Sequence, residues 1–277
     1  MPPRPPHIAL RLLVAALAAG AALGAASTPG LVLAAASGPA LAWTLVVLLA
    51  AGRRRPPWDV VAATLLGGAV LAASLAAGAN EVALARGALG AGRVPILVGP
   101  LVEETAKGLV LALVVALRRE AFDGPRAGLV WGALVGLGFT WHENLQYLAL
   151  AALQGGWPGL EQGIAVRGLV GGPVHAVFAA ATGVGLGWAL AAPAGSVARI
   201  AVGAVGIAAA VGQHVAWNAV GSVLVMQALC GPGFPALGCA RPPRRWPPPA
   251  VLLVTLAFTA PGAGLAWLAS RRGPRDS

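Results

Sequence analysis

Charged residues are scarce in this sequence. They make up 10% of the 277 residues, whereas a soluble domain carries about a quarter. This scarcity excludes an ordinary soluble chain, and the mean hydropathy of +0.79 agrees with that exclusion. Glycine and proline are plentiful, but apolar runs of about 20 residues exclude a disordered linker and fit helices that span a bilayer. We therefore expect an all-α, polytopic transmembrane helix bundle.

Almost all of the positive charge is arginine. The net charge is +10, and the 19 basic residues include one lysine, Lys107. Most arginines stand at the ends of apolar runs, with Arg167 at the outer end of the sixth, a placement typical of topology signals and of contacts with lipid headgroups. No basic stripe with interleaved aromatic residues is present, so we expect the lipid bilayer and not nucleic acid as a partner.

The apolar runs predict about eight spans. The expected ranges are 8–26, 31–51, 60–79, a fourth span from between 93 and 100 to 117, and then 126–153, 168–191, 199–229 and 250–270. If the N-terminus is inside, the cytoplasmic segments carry twelve arginines and the opposite segments six. The positive-inside rule therefore predicts both termini in the cytoplasm of a multi-pass protein of the cell membrane. The first run also resembles a signal peptide, but we expect it to remain as a span.

The fourth span contains two carboxylates and an ammonium group within an apolar run. Lys107 follows Glu103 by four residues and Glu104 by three, so either carboxylate can pair with it on one helix face. A structural ion pair between helices is the plain alternative. Ionisable groups inside a membrane are costly and more often mark function, so we expect a functional site here.

Three more spans carry polar groups that a bilayer normally excludes. The fifth contains Glu143 and Asn144, the sixth contains His175, and the seventh contains His214 and Asn218 four residues apart on one face. At about 1.5 Å of rise per residue, all four sets fall at similar depth in the outer half of the bilayer. Independent packing residues would have no reason to share a depth. We therefore expect one site that opens to the extracytoplasmic side.

These motifs resemble those of the PrsW intramembrane proteases. The matching residues are Glu103-Glu104-x-x-Lys107, Phe139-x-x-x-Glu143-Asn144, His175 with its trailing glycines, and His214-x-x-Trp217-Asn218. The resemblance covers roughly 93–224 and implies cleavage of a membrane-anchored protein, with the site-one cut of an anti-sigma factor as the best-known role. PrsW proteases are related to the CAAX prenyl endopeptidases, a wider glutamic-type group that has His in place of Glu143 and Arg in place of Lys107.

The resemblance also suggests how the chain is divided. We expect spans one to three within 1–92, a catalytic core of spans four to seven within 93–229, an extracytoplasmic loop at 230–249, and the last span with a cytoplasmic tail at 250–277. That loop holds the only two cysteines, Cys230 and Cys239. A disulfide is permitted there, and two free thiols fit the sequence equally well.

Cleavage of a peptide bond at such a site requires an activated water molecule. A buried carboxylate can act as general base and then as acid. The expected base is Glu103, supported by Glu104 and Lys107, with His175 polarising the water. His214 and Asn218 are expected to donate hydrogen bonds to the oxyanion. Glu143 and Asn144 are expected to orient the histidines, and Glu143 is also an alternative base.

Two other readings use the same residues. A zinc ion could be held by three ligands, Glu103, His175 and His214, with one coordination position open. Our first expectation is nevertheless a site without a cofactor. Carboxylates and histidines at mid-membrane also occur in proton-coupled transporters, which commonly show internal repeats that this sequence lacks. Nucleophilic proteolysis is poorly supported, because both cysteines lie in a loop and Thr105 has no suitable neighbouring base.

Overall fold

The chain folds into a bundle of α-helices. The computed structural model describes residues 5–26, 28–87, 93–193, 195–231 and 247–271, and these residues contain no strand. The helices are α1 (Pro5–Ala26), α2 (Gly30–Ala51), α3 (Trp58–Leu66), α4 (Ala73–Arg86), α5 (Gly99–Leu117), α6 (Pro125–Gly163), α7 (Val174–Ala191), α8 (Val197–Ala216), α9 (Ser222–Cys230) and α10 (Pro249–Arg271). The all-α prediction is confirmed.

Six helical stretches of the described chain are long and apolar enough to cross a membrane. They are Ile8–Ala26, Gly30–Ala51, Trp58–Arg86, Pro125–Ala191, Val197–Cys230 and Pro249–Arg271. The fourth stretch contains both α6 and α7, and α5 is outside the six although most of its length is apolar. The protein is therefore a multi-pass membrane protein. The count of eight spans and the cytoplasmic position of both termini stay predictions.

Short π-helical segments interrupt the long helices. Gly67–Ala72 joins α3 to α4, and Trp217–Gly221 joins α8 to α9. Two more lie beside the polar residues, at Val94–Val98 before α5 and at Ile164–Val170 before α7. Single turns of this kind are rare and occur frequently at functional sites.

Helices α6 and α7 pack with their backbones in direct contact. Three glycines of α6, spaced four residues apart, leave no room for a side chain. They are Gly128, Gly132 and Gly136, and they face the backbone carbonyl groups of Gly183, Ala179 and His175. Small residues at this spacing allow close helix approach in membranes. The contact at Gly136 places the start of α7, and therefore His175, against the middle of α6.

A sharp reversal at Gly156 divides α6 into two helical parts, a long one before it and a short one after it. Gly156 has φ of 57° and ψ of −147°, outside the helical region. Only glycine adopts such a conformation without strain. The chain after Gly156 packs back on α6, with Gly159 against the carbonyl of Ala151 and Gly163 against Leu148.

We predict that Gly128→Ala destabilises the protein, because the added methyl group would overlap the carbonyl oxygen of Gly183. Overpacking of this kind costs about 1–3 kcal/mol. The unfolding temperature of the detergent-purified protein measures the effect. Gly78→Ala is the matched control, since nothing lies near a side chain at exposed Gly78, and its temperature should not fall. Equal stability of the two variants would contradict the packing.

Candidate active site

The polar residues of four helices meet in the interior of the bundle. Helix α5 contributes Glu103, Glu104 and Lys107, α6 contributes Glu143, α7 contributes His175, and α8 contributes His214. Hydrogen bonds and ion pairs of 2.6–3.8 Å connect all six side chains. These residues come from four helices, and only the packing of the bundle brings the four sets together.

Lys107 stands at the centre of this cluster. Its side chain is fully buried, and its Nζ donates to Glu104 Oε1 at 2.6 Å and to His175 Nδ1 at 3.0 Å. The same nitrogen lies 3.8 Å from Glu103 Oε2 and 4.0 Å from the centre of the Phe139 ring. A buried ammonium group needs such partners, because burial of an unpaired charge is very costly.

The partners of His175 determine which of its nitrogens carries the proton. Lys107 can only donate, so Nδ1 of His175 accepts. A carboxylate can only accept, so Nε2–H donates to Glu143 Oε2 at 2.9 Å. His175 is therefore neutral with the proton on Nε2, and both of its ring nitrogens are engaged.

His214 is oriented in a different way. Its Nδ1–H donates to Glu104 Oε1 at 2.8 Å, and Glu104 is completely buried. Its Nε2 then faces Glu103, whose Oε2 lies 3.8 Å away. This Glu103 oxygen is buried and has no hydrogen-bond partner in the part of the chain that the structure describes. Glu104 Oε2 also lacks a hydrogen-bond partner in the described chain, but the Glu104 side chain is completely buried, whereas 12% of the Glu103 side chain is exposed. Glu103 is thus the carboxylate with an unpartnered oxygen on a side chain that is still partly exposed.

Aromatic rings close the cluster off on the side of α7. The Phe178 ring stacks on His214, with centroids 4.9 Å apart and an angle of 23° between the rings. The same ring meets His175 edge to face at 5.9 Å. Phe139 lies 5.2 Å from His175 on the other side. These rings lower the local polarity, which strengthens the hydrogen bonds of the cluster.

Two expected site residues have other partners. Asn144 is buried, and its amide exchanges long hydrogen bonds of 3.4–3.5 Å with Arg167, not with a histidine of the described chain. Asn218 donates its amide N–H to the carbonyl of Pro95 at 2.9 Å. A π-helical segment begins at Trp217, directly after α8, so the regular helix that would place Asn218 beside His214 ends before it.

Sequence reasoning missed Arg167. The residue was expected to mark the outer end of a span, yet its guanidinium group reaches Glu143 Oε2 at 2.8 Å. Arginine is long enough for such contacts far from its own backbone. No pattern in the sequence indicates the direction of its side chain.

A cleft of about 540 Å³ leads away from His175. It runs between the end of α6, the segment Ile164–Val170, α9 and α10. The walls are mainly apolar, with Leu150, Val225 and Met226 among them, and Arg167 and His175 lie at one end. Binding clefts are typically apolar with a few placed polar groups. Cys230, which is disulfide-bonded, also lines the cleft, and Cys239 falls outside the described residues.

Comparison with known proteins identifies the family. Residues 56–238 match the family described as PrsW family intramembrane metalloprotease, which is about two thirds of the chain. The chain belongs to the PrsW family. The match includes the expected region 93–224 and also α3 and α4. No curated protein and no solved structure matches the chain.

Membership in the PrsW family makes this chain an intramembrane protease with protein substrates. The predicted family, the assignment as a protease and the membrane character are confirmed. The glutamic-type mechanism stays a prediction. The expected roles of Glu103, Glu104, Glu143, His175, His214 and Asn218 stay predictions, as do the supporting roles of Lys107 and Asn144.

The family description implies a metal ion, and the residues of the cluster that could bind one are Glu103, His175 and His214. Ligand atoms of Glu103, His175 and His214 lie within 4.8 Å of one another, a spacing that fits a metal. A histidine binds metal through a nitrogen lone pair. Nε2 of His214 has such a lone pair, and Oε2 of Glu103 is a carboxylate oxygen without a hydrogen-bond partner in the described chain. His175 has no nitrogen to offer, because Lys107 and Glu143 occupy both of them. In this arrangement the three residues do not fit a shared metal ion.

We predict that Lys107→Met lowers the stability of the protein, because it leaves the Glu104 carboxylate buried without its cation. Loss of one partner of a buried ion pair costs about 3–5 kcal/mol. The double variant Lys107→Met/Glu104→Gln removes both charges and keeps an acceptor for His214, so it should recover much of the loss. Unfolding temperatures in detergent decide the point. A double variant no more stable than Lys107→Met would contradict the pairing.

Proposed function

We propose that this PrsW protein is an intramembrane endopeptidase that uses Glu103 to activate water for hydrolysis of a peptide bond. The observation that best supports this proposal is the environment of the buried Glu103 Oε2. This oxygen lacks a hydrogen-bond partner in the described chain and lies 3.8 Å from both Lys107 Nζ and His214 Nε2. Glu104 is completely buried and its Oε1 binds Lys107 and His214, while Glu143 Oε2 binds His175 and Arg167.

In the proposed reaction, Glu103 takes a proton from water while the water oxygen forms a bond to the carbonyl carbon of the substrate. The carbon–nitrogen bond then breaks, and the proton passes from Glu103 to the amine that leaves. One carboxylate serves as base and then as acid, as general acid–base catalysis requires. Lys107 balances the charge beside Glu103 in both steps.

The two histidines have different proposed duties. His175, held between Lys107 and Glu143, has both ring nitrogens engaged. It keeps a fixed orientation and positions Lys107, whose Nζ lies 3.8 Å from Glu103 Oε2, beside the water. His214 donates from Nδ1 to Glu104 and faces Glu103 with Nε2, which carries a lone pair in the resting site. Protonation of Nε2 during the reaction would form an imidazolium able to donate to the oxyanion. One well-placed oxyanion donor is worth about 3 kcal/mol.

Asn218 is the second proposed oxyanion donor. Its amide now donates to the carbonyl of Pro95, so entry of a substrate carbonyl would exchange one acceptor for another. Both residues belong to π-helical segments, Val94–Val98 and Trp217–Gly221. Such segments are less regular than α-helix and are suited to a local change of partner.

The proposed substrate is a membrane-anchored protein that is cut near the extracytoplasmic face. The cleft supports this, since it is mainly apolar and His175 of the cluster lines it. The arginine distribution, with twelve residues on the expected cytoplasmic side and six on the other, supports the side of the cut. A site-one cut of an anti-sigma factor would suit an outward-facing site.

We predict that Glu103→Gln abolishes cleavage, with a loss of at least about 100-fold, because an amide cannot take a proton from water. Membranes from cells that make the intact protein or the variant should be compared by proteomics. Single-span proteins that remain uncut only with Glu103→Gln are the substrates. Glu81→Gln is the matched control, since Glu81 is exposed on α4, and it should cut normally. An active Glu103→Gln protein would remove this residue from the mechanism.

We also predict that the purified protein carries well below one equivalent of zinc per chain, because both nitrogens of His175 are engaged. Elemental mass spectrometry of the detergent-purified protein measures the metal content directly. Cleavage should survive a chelator treatment that strips buried zinc from a known zinc protease. Stoichiometric zinc whose removal ends cleavage and whose return restores it would establish the metal mechanism instead.

A further inference from the structure

Arg167 lies at the boundary between the cleft and the buried cluster. It belongs to the π-helical segment Ile164–Val170, and its side chain is one-third exposed toward the cleft. Its Nη2 donates to Glu143 Oε2 at 2.8 Å. The same oxygen accepts from His175 Nε2 at 2.9 Å. A single carboxylate oxygen therefore connects the arginine to the histidine.

Three side chains of α6 hold the guanidinium group in place. The Tyr147 ring lies beneath it, 3.8 Å from its central carbon. Asn144 accepts from Arg167 Nε at 3.4 Å and donates to the Arg167 carbonyl at 3.5 Å. Glu143 completes the set with its charge-assisted bond, which is stronger than a neutral one. The planar guanidinium group suits simultaneous stacking and hydrogen bonding, which a lysine cannot reproduce.

Helix α2 braces the segment that carries Arg167. The Trp43 indole N–H donates to the carbonyl of Leu169 at 3.1 Å. A side-chain carbon at Gly168 would stand 2.7 Å from the Pro39 ring, and one at Gly172 would stand 2.7 Å from the Trp43 ring. The backbone on both sides of Arg167 therefore lies tightly against α2. The contact with α2 therefore fixes the position of the Arg167 backbone, and the side chains of α6 fix the position of its guanidinium group.

We propose that Arg167 is a positioning residue that holds the Glu143 carboxylate toward His175 and so keeps a charged acceptor on the His175 Nε2–H, while Lys107 holds Nδ1. This rests on the proposed function. Without Arg167, Glu143 loses its charged partner, and its carboxylate is free to turn toward the cleft. His175 then keeps only the Lys107 contact, which engages Nδ1 and leaves Nε2 without its acceptor.

The first test reads the histidine directly and needs no substrate. The chain has four histidines, so nitrogen NMR of the full-length protein labelled at histidine gives few signals, and His175→Ala assigns those of His175. We expect a protonated Nε2 and an unprotonated Nδ1 in the wild type. With Arg167→Gln the Nε2–H signal of His175 should shift, because this group loses its carboxylate acceptor, while Nδ1 stays unprotonated next to Lys107. Arg86→Gln, a change at an exposed arginine at the end of α4, should leave them unchanged. Unchanged His175 signals with Arg167→Gln overturn the proposal.

The second test is a double-mutant cycle with the protein that accumulates uncut in Glu103→Gln membranes as the probe. Arg167→Gln should lower kcat about tenfold, the effect of losing about 1.4 kcal/mol of transition-state stabilisation, with KM unchanged. In a Glu143→Gln background it should have little further effect, because it acts through Glu143. Arg167→Lys should recover part of the rate, since it restores the charge without the stacking.

Additive losses, or a raised KM with normal kcat, would show that Arg167 contacts the substrate from the cleft, and would overturn the positioning role. A wild-type protein that cuts nothing would end the proposed function. The NMR result would still stand in that case, because it reports the hydrogen bonds of His175 in the absence of cleavage. The two failures are therefore distinguishable.

Discussion

The buried ammonium group of Lys107 is the interaction on which the site depends. In the interior of a membrane protein no water shell compensates an isolated charge, so the group requires protein partners. Glu104 and His175 supply them at 2.6 and 3.0 Å, from the same helix and from α7. Glu104 in turn orients His214 of α8. One cation thus ties three helices together and determines which atoms of the cluster stay available.

That requirement can be met only because the helices approach closely. The glycines of α6 bring its backbone against α7, with Gly136 directly opposite the carbonyl of His175. A methyl group at this contact would push α7 away from α6 and would lengthen the hydrogen bond between His175 and Glu143. Small residues and buried charges therefore act together: the first allow the approach, and the second specify the partners.

Sequence reasoning identified the helical class, the protease family and the set of polar residues, but it misjudged several partners. Glu103, His175 and His214 were expected to meet, and the described structure places their ligand atoms within 4.8 Å. Asn144 and Asn218 instead bond to Arg167 and Pro95. Arg167 was taken as a mark of topology. Side-chain direction and π-helical irregularity decide such partners, and neither has a reliable signature in a single sequence.

The sequence by itself determined that this chain crosses a membrane repeatedly and carries ionisable groups in four apolar runs, because hydropathy and the cost of buried charge can be read residue by residue. Only the tertiary structure decided which hydrogen bonds those groups make. A histidine with two free nitrogens and one with both engaged look identical in sequence. Contacts between α5, α6 and α7 settle that His175 is the second kind, and contacts between α5 and α8 leave Glu103 with an oxygen to spare.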